Sequence, residues 1–246
     1  MRDAHKSITF SCYCNRLLRS EMDVNIHPID FGFSQCYIIQ SEGTVMIDGG
    51  PPNKIEEFMK AMERIPVEPE DIQLIILTHG HFDHIGSAKE IKEVTGAKIV
   101  MHQLDKDYLE KPFQRVPKGV GVWGGTLSTM LHLAVPFIQF PASKVDIILR
   151  DEGMSLTDFG ISGRVIHTPG HTAGSVSVLL DSGDAFIGCL AQNKFPLRLN
   201  SGLPVLADSI EKVKESWKRL LELGVETAYP GHGKPFSADI IRKALM

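Results

Sequence analysis

Four side chains able to bind a metal ion fall within the six residues from His79 to His84, in the stretch Thr78-His79-Gly80-His81-Phe82-Asp83-His84. Imidazole and carboxylate are donors that zinc and related divalent ions accept, and separate surface or core histidines do not account for such density. In an extended segment, residues two apart project to the same side. His79 and His81 can therefore reach one ion, while Asp83 and His84, at the following turn, can reach a second beside it. Gly80 and Gly86 permit the tight path. Two further histidines sit in Gly/Pro turns after strand-like runs: His171 in Thr168-Pro169-Gly170-His171-Thr172 and His232 in Tyr229-Pro230-Gly231-His232-Gly233. Turns of that kind can aim a side chain into a cleft. His5, His27, His102, His132 and His167 have no such setting and read as structural or surface residues. The pair Cys12-x-Cys14 lacks two further ligands nearby, since Tyr13, Asn15 and Arg16 supply none of the usual kind.

The elements that must carry these residues alternate between strand and helix. Strands are expected at residues 36–39 and 45–47, joined by a Ser41-Glu42-Gly43 turn. Pro51-Pro52 stops the sheet, and Asn53 is placed to cap a helix running to about Arg64, with Ile55, Phe58, Met59 and Met62 on one face. The apolar run 74–77, immediately before the histidine cluster, suits a strand covered on both faces. A helix near 87–95 closed by Gly96, a strand at 98–100 and a helix from about Gln103 follow. Later strands are expected at 145–149, 164–167, 175–180 and 185–187. A final helix spans 208–223, where Asp208 and Glu211 form a capping box and Gly224 marks the stop. No linker or repeat interrupts the chain, so a single domain over residues 1–246 is expected.

An insert at about residues 111–143 breaks the pattern, being free of charged side chains from Gly119 to Ser143 and rich in Val122, Trp123, Leu127, Met130, Leu131 and Phe137. Its length would span a bilayer, but Gly119, Gly121, Gly124, Gly125, Pro136 and Pro141 interrupt it and strands flank it. A substrate-covering or partner-binding segment is the favoured reading, with an apolar portion on the substrate or a homodimer contact as its uses.

The chain has 246 residues, 43% hydrophobic and 23% charged, with a formal charge of −4. It is long enough for a substantial core, and without a Lys/Arg run it lacks the electrostatic footprint of a nucleic-acid binder. The first residues, with Asn15, Arg16, Arg19 and Glu21, show no apolar segment of secretory type. The cytoplasm is the expected location, and Cys12, Cys14, Cys36 and Cys189 are expected to stay reduced there.

Taken together, the motifs resemble those of the metallo-β-lactamase superfamily. Its His-x-His-x-Asp-His signature is present as His79, His81, Asp83 and His84, and Asp48-Gly49-Gly50 and the loops around His171 and His232 follow in the family's order over roughly residues 26–236. The resemblance implies an α/β fold, a four-layer αβ/βα sandwich with metals at one edge. It implies two Zn2+ ions, the first on His79, His81 and His171, the second on Asp83, His84 and His232, with Asp48 orienting the ligand loop. Where hydrolases such as glyoxalase II carry a bridging aspartate, this chain has Gly188-Cys189-Leu190, and Cys189 would give the second zinc a thiolate. The activity implied is zinc-dependent hydrolysis of an ester, thioester, lactone or amide in a small-molecule substrate by a metal-bound hydroxide that Asp83 holds in line. A true metallo-β-lactamase and a non-catalytic metal-binding module on the same fold are the alternatives. A persulfide dioxygenase would need a single iron and leave the second ligand set unexplained.

Overall fold

The computed structural model describes residues 24–112 and 114–246, so the Cys12-x-Cys14 pair and His5 lie outside the described residues. The chain begins with β1 (Asn25–Asp30), β2 (Gln35–Gln40), β3 (Thr44–Ile47), α1 (Ile55–Met62) and β4 (Ile72–Ile76). It continues through α2 (Phe82–Ile85), α3 (Ala88–Thr95), β5 (Lys98–His102), α4 (Lys106–Glu110), α5 (Gly121–Ala134), β6 (Ile147–Leu149) and β7 (Met154–Ser155). The last part contains β8 (Gly163–His167), β9 (Val176–Leu180), β10 (Asp184–Gly188), α6 (Ile210–Glu222), β11 (Thr227–Pro230), β12 (Phe236–Ser237) and α7 (Asp239–Ala244).

The strands form two six-stranded sheets, in the orders β1-β2-β3-β4-β5-β6 and β12-β11-β10-β9-β8-β7. Strand side chains alternate between faces, and here both faces are apolar. Ile38, Met46, Ile75 and Ile99 of the first sheet pack against Phe58 and Ile91 of the outer helices. Their neighbours Ile39, Val45, Leu74, Ile76 and Val100 meet Val165, Val178, Leu180 and Phe186 of the second sheet. On the far side, Leu179, Ala185 and Ile187 pack against Val213, Trp217 and Leu220 of α6. Helix, sheet, sheet, helix is the αβ/βα sandwich that the motifs imply.

Two helix starts differ from the sequence reading. Asn53 lies in the left-handed region at φ 60°, so it turns the chain before the helix, and Lys54 donates its backbone N–H to Ser87 Oγ at 2.8 Å. At α6 it is Ser209, one residue after Asp208, whose Oγ accepts from the Lys212 N–H. The insert forms the 14-residue helix α5, which buries Gly124 and Ser128. Val122 and Leu133 on the helix, and Phe137 just beyond it, are exposed. Among the described residues no helix is long and apolar enough to cross a membrane.

Trp217 links packing to the site. It is fully buried, and its indole N–H donates to the Leu190 carbonyl at 3.0 Å, one residue beyond Cys189. Replacing it removes a large apolar contact and leaves a carbonyl unsatisfied. Trp217→Ala should lower unfolding free energy by about 3–5 kcal/mol in a denaturant titration, and a loss below about 1 kcal/mol would show that α6 does not anchor this sheet.

Candidate metal centre

The seven residues singled out by sequence come from both sheets and meet at one edge of the sandwich. His79, His81, Asp83 and His84 follow β4, His171 follows β8, Cys189 follows β10 and His232 follows β11. All seven are buried, none more than 9% exposed. They form three groups whose donor atoms lie within 4.8 Å of one another: His79, His81 and His171; Asp83, His84 and His232; and His79, His84 and Cys189. Cys189 thus faces a donor from each of the two histidine sets.

The separations suit ions. His81 Nδ1 lies 2.9 Å from His171 Nε2, and His84 Nε2 lies 3.2 Å from His232 Nε2. Two nitrogens on a tetrahedral ion with bonds of about 2.0–2.1 Å would stand roughly 3.3 Å apart. Cys189 Sγ is 3.3 Å from His84 Nε2, and Asp83 Oδ2 is 3.1 Å from His232 Nε2.

Four of the five rings are also fixed from behind. His171 Nδ1 donates to the Leu206 carbonyl at 2.7 Å and His232 Nδ1 to the Phe33 carbonyl at 2.9 Å. His84 Nδ1 donates to Asp48 Oδ2 at 2.8 Å, and His79 Nδ1 to Thr78 Oγ1 at 3.0 Å, whose own hydroxyl is spent on Asp48. With one nitrogen engaged as a donor, the other faces the cluster, which is how metal-binding imidazoles are oriented. His79 Nε2 is buried and has no hydrogen-bond partner. An orphaned buried polar atom is costly; a cation among these donors would satisfy it.

Electrostatics prepare the two anionic donors. Burial pushes the Cys189 thiol up, but His232, His84, His171 and His79 around it outweigh burial and bring it well below the ordinary thiol range. Cys36, equally buried but beside Asp48, is held well above that range. Burial likewise disfavours ionised Asp83, yet His84 and His232 hold its carboxyl below the usual carboxylate range. In the other direction, burial and then the charge of His171 keep His81 well below the usual imidazole range, so its lone pair is available.

Backbone geometry at two points permits the convergence. Asp48 sits at φ 61°, a strained position for a residue with a side chain, and there its Oδ1 accepts the Thr78 N–H at 2.7 Å. Gly188 has φ 50°, and a Cβ there would approach Thr78 Oγ1 to 2.6 Å. Glycine therefore lets the strand end turn Cys189 inward beside the histidine loop.

One residue of the centre has no counterpart among the sequence candidates. Asp105 is buried, 1% exposed, and its carboxylate accepts from Gly80 N–H at 2.9 Å, Thr172 Oγ1 at 2.7 Å and Gly174 N–H at 2.9 Å. It clamps the His79–His84 loop of one sheet to the His171 loop of the other. Its surroundings, Leu104-Asp105-Lys106, resemble any helix N-cap, so only tertiary structure reveals the role. Among the histidines read as structural or surface residues, His102 Nδ1 accepts the Leu104 N–H at 3.3 Å, which puts the proton on Nε2, toward Asp151 Oδ1 at 3.2 Å. That nitrogen has no lone pair left for the group it forms with Asp151 and His167. His132 Nδ1 donates to the Ser128 carbonyl one turn back.

A two-sheet αβ/βα protein with imidazole, carboxylate and thiol donors gathered at one edge defines a metal-binding class, and comparison with known proteins gives its family. A sequence profile described as the metallo-beta-lactamase superfamily matches residues 29–232, and the chain belongs to that superfamily. It is 27% identical over 240 residues to the probable metallo-hydrolase YflN of Bacillus subtilis, covering 89% of this chain and 88% of that one. It is 29% identical to the metallo-beta-lactamase fold-containing protein ST1585 of Sulfurisphaera tokodaii, covering 89% and 80%. A solved structure of ST1585 from Sulfolobus tokodaii aligns with a TM-score of 0.62, 26% identity and coverage of 90% and 84%. BJP-1, a subclass B3 metallo-beta-lactamase of Bradyrhizobium japonicum, shares the fold with a TM-score of 0.60 at 23% identity, covering 86% and 76%.

Asp105→Asn replaces an acceptor oxygen by a donor facing an N–H or hydroxyl. Metal affinity, read by competition with a chromophoric chelator, should fall about 10–100-fold while the circular dichroism spectrum is kept. Unchanged affinity would mean the clamp does not position the donors.

Proposed function

We propose that the protein is a dinuclear zinc hydrolase acting on an ester, thioester, lactone or amide. The observation that carries this reading is the convergence of seven buried donors, with the His79 Nε2 lone pair unsatisfied among them. His79, His81 and His171 would hold one ion and Asp83, His84 and His232 the other. Cys189, lying toward both sets, would add a thiolate, a soft donor that with imidazole favours zinc over magnesium, calcium or manganese. A thiolate ligand of this kind suits a reducing compartment such as the cytoplasm. When bound, such ions lower the pKa of water and polarise a carbonyl oxygen.

The chain's own residues supply the rest. Asp83 lines the cavity next to His81, His171 and His232 and, held ionised, is an acceptor only. It would orient the attacking water by accepting one of its hydrogens. Hydrolysis joins the water oxygen to the acyl carbon, breaks the bond from that carbon to its leaving heteroatom, and delivers a proton to the leaving group. Asp48 and Asp105 would act through the ligand loops, keeping the rings in place as charge develops.

Purified protein should carry close to two equivalents of zinc by elemental analysis, and it should turn over at least one member of a panel of esters, thioesters, lactones and a chromogenic β-lactam. His81→Ala should abolish most of that turnover. Iron as the dominant metal, or unchanged turnover in His81→Ala, would sink the reading.

Cys189 is tested separately. In zinc-loaded protein it should alkylate slowly, and its rate should rise on chelation, because a metal-bound sulfur has its lone pairs engaged. Chelator-independent alkylation, with unchanged zinc content in Cys189→Ala, would return it to the role of a small buried hydrophobe.

A further inference from the structure

The cavity beside the donors is lined by both polar and hydrocarbon side chains. His81, Asp83, His171, Cys189 and His232 form its polar floor. The lining also includes hydrocarbon side chains: Leu127, Leu131 and Val135 from the insert, with Leu197 and Leu206 packed in one cluster with Leu127 and Leu131. Among the described residues, Arg115 is the one Lys or Arg side chain along the lining, and its guanidinium lies 3.8 Å from Asp208 Oδ1.

This hydrocarbon wall is docked by specific contacts. Val120 N–H donates to the Val205 carbonyl at 2.8 Å and Ala207 N–H to the Lys118 carbonyl at 2.9 Å, while Trp123 Nε1 donates to the Pro196 carbonyl at 3.1 Å. Where α5 meets the loop before α6, a Cβ on Gly124 would come within 2.1 Å of the Val205 oxygen, so glycine sets how closely α5 approaches. The wall is also tied to the floor, because the Leu206 carbonyl accepts the Nδ1–H of His171. An apolar group packed on Leu206 therefore lies against the segment that orients a metal donor.

Size limits what fits. The cavity measures about 80 Å³, roughly half of the 150 Å³ or so in which an apolar cavity takes up benzene. A short aliphatic chain, on the order of four carbons, suits such a space, whereas a long acyl chain or a fused ring system exceeds it.

We propose that this wall is an acyl subsite, and that the protein hydrolyses neutral substrates whose acyl group is a short aliphatic chain of about four carbons, discriminating against acyl groups that carry a charge. The assignment rests on the hydrolytic reading given above. Burial of each methylene improves transition-state binding only while the wall has room, so the length profile should rise and then turn over.

The test uses zinc-loaded protein and p-nitrophenyl esters from acetyl to decanoyl, plus the succinyl half-ester. From acetyl to butanoyl, kcat/KM should rise by up to about fourfold per methylene and then fall, with the succinyl ester at least tenfold below butanoyl. Leu131→Ala should shift the optimum by one or two carbons toward longer chains, and the volume-conserving Leu131→Met should leave it in place. A readout free of turnover is titration of metal-free protein with linear alcohols by NMR, where affinity should rise to about butanol or pentanol, with shifts centred on Leu127 and Leu131. Chelator-sensitive hydrolysis that is flat in chain length, with no alcohol shifts at those leucines, would overturn the subsite and leave the hydrolytic reading standing. Absence of chelator-sensitive hydrolysis across the whole panel would overturn that reading, and the acyl assignment with it.

Discussion

Five imidazoles, a carboxylate and a thiol within a few ångströms of one another, all shielded from water, form an arrangement that a protein cannot sustain cheaply. Ring nitrogens of His81 and His171 meet at 2.9 Å and those of His84 and His232 at 3.2 Å, and the buried His79 Nε2 forgoes hydration with no hydrogen-bond partner. A multivalent cation resolves this conflict, turning facing acceptors into shared ligands. The demand to hold acceptors face to face explains why the surroundings are built as they are.

Holding them requires supports on every side, and the sandwich supplies these at the carboxyl ends of its strands. The first sheet delivers the His79–His84 loop and the second delivers His171, Cys189 and His232, so the donors are gathered only when the two sheets pack through the shared Ile, Val and Leu layer between them. Two carboxylates then lock the join. Asp48, in a strained backbone conformation, secures Thr78 and His84 within the first sheet, and Asp105 ties that sheet's loop to the second. Charge-assisted hydrogen bonds of this kind are stronger than neutral ones and set orientations that apolar packing alone would leave loose.

Much of this was legible in the residue order because the signals are local. The histidine cluster is compact enough to read directly, and strands such as Ile72–Ile76 betray burial on both faces by an almost unbroken apolar run. Elements whose signal is weak or whose partner is distant were not readable. The strand Asn25–Asp30 contains Pro28, which argues against a central strand and is tolerated because β1 lies at the sheet edge. The two-residue strands Met154–Ser155 and Phe236–Ser237 show no period at all. Asp105 is invisible for a different reason: its donors at Gly80, Thr172 and Gly174 lie 25 to 69 residues away. For the insert, composition announced an unusual segment, but the side facing the donors depends on Gly124 meeting Val205 across the fold.

The central claim, that these donors jointly hold a pair of zinc ions with sulfur in their coordination, is tested most directly by anomalous diffraction at the zinc edge on zinc-loaded crystals, with X-ray absorption on the same protein. Two peaks about 3.5–4 Å apart, one set on His79, His81 and His171 and the other on Asp83, His84 and His232, with a zinc–sulfur distance of about 2.3 Å, is the result expected. A single peak, or two peaks without sulfur in either coordination shell, would contradict it.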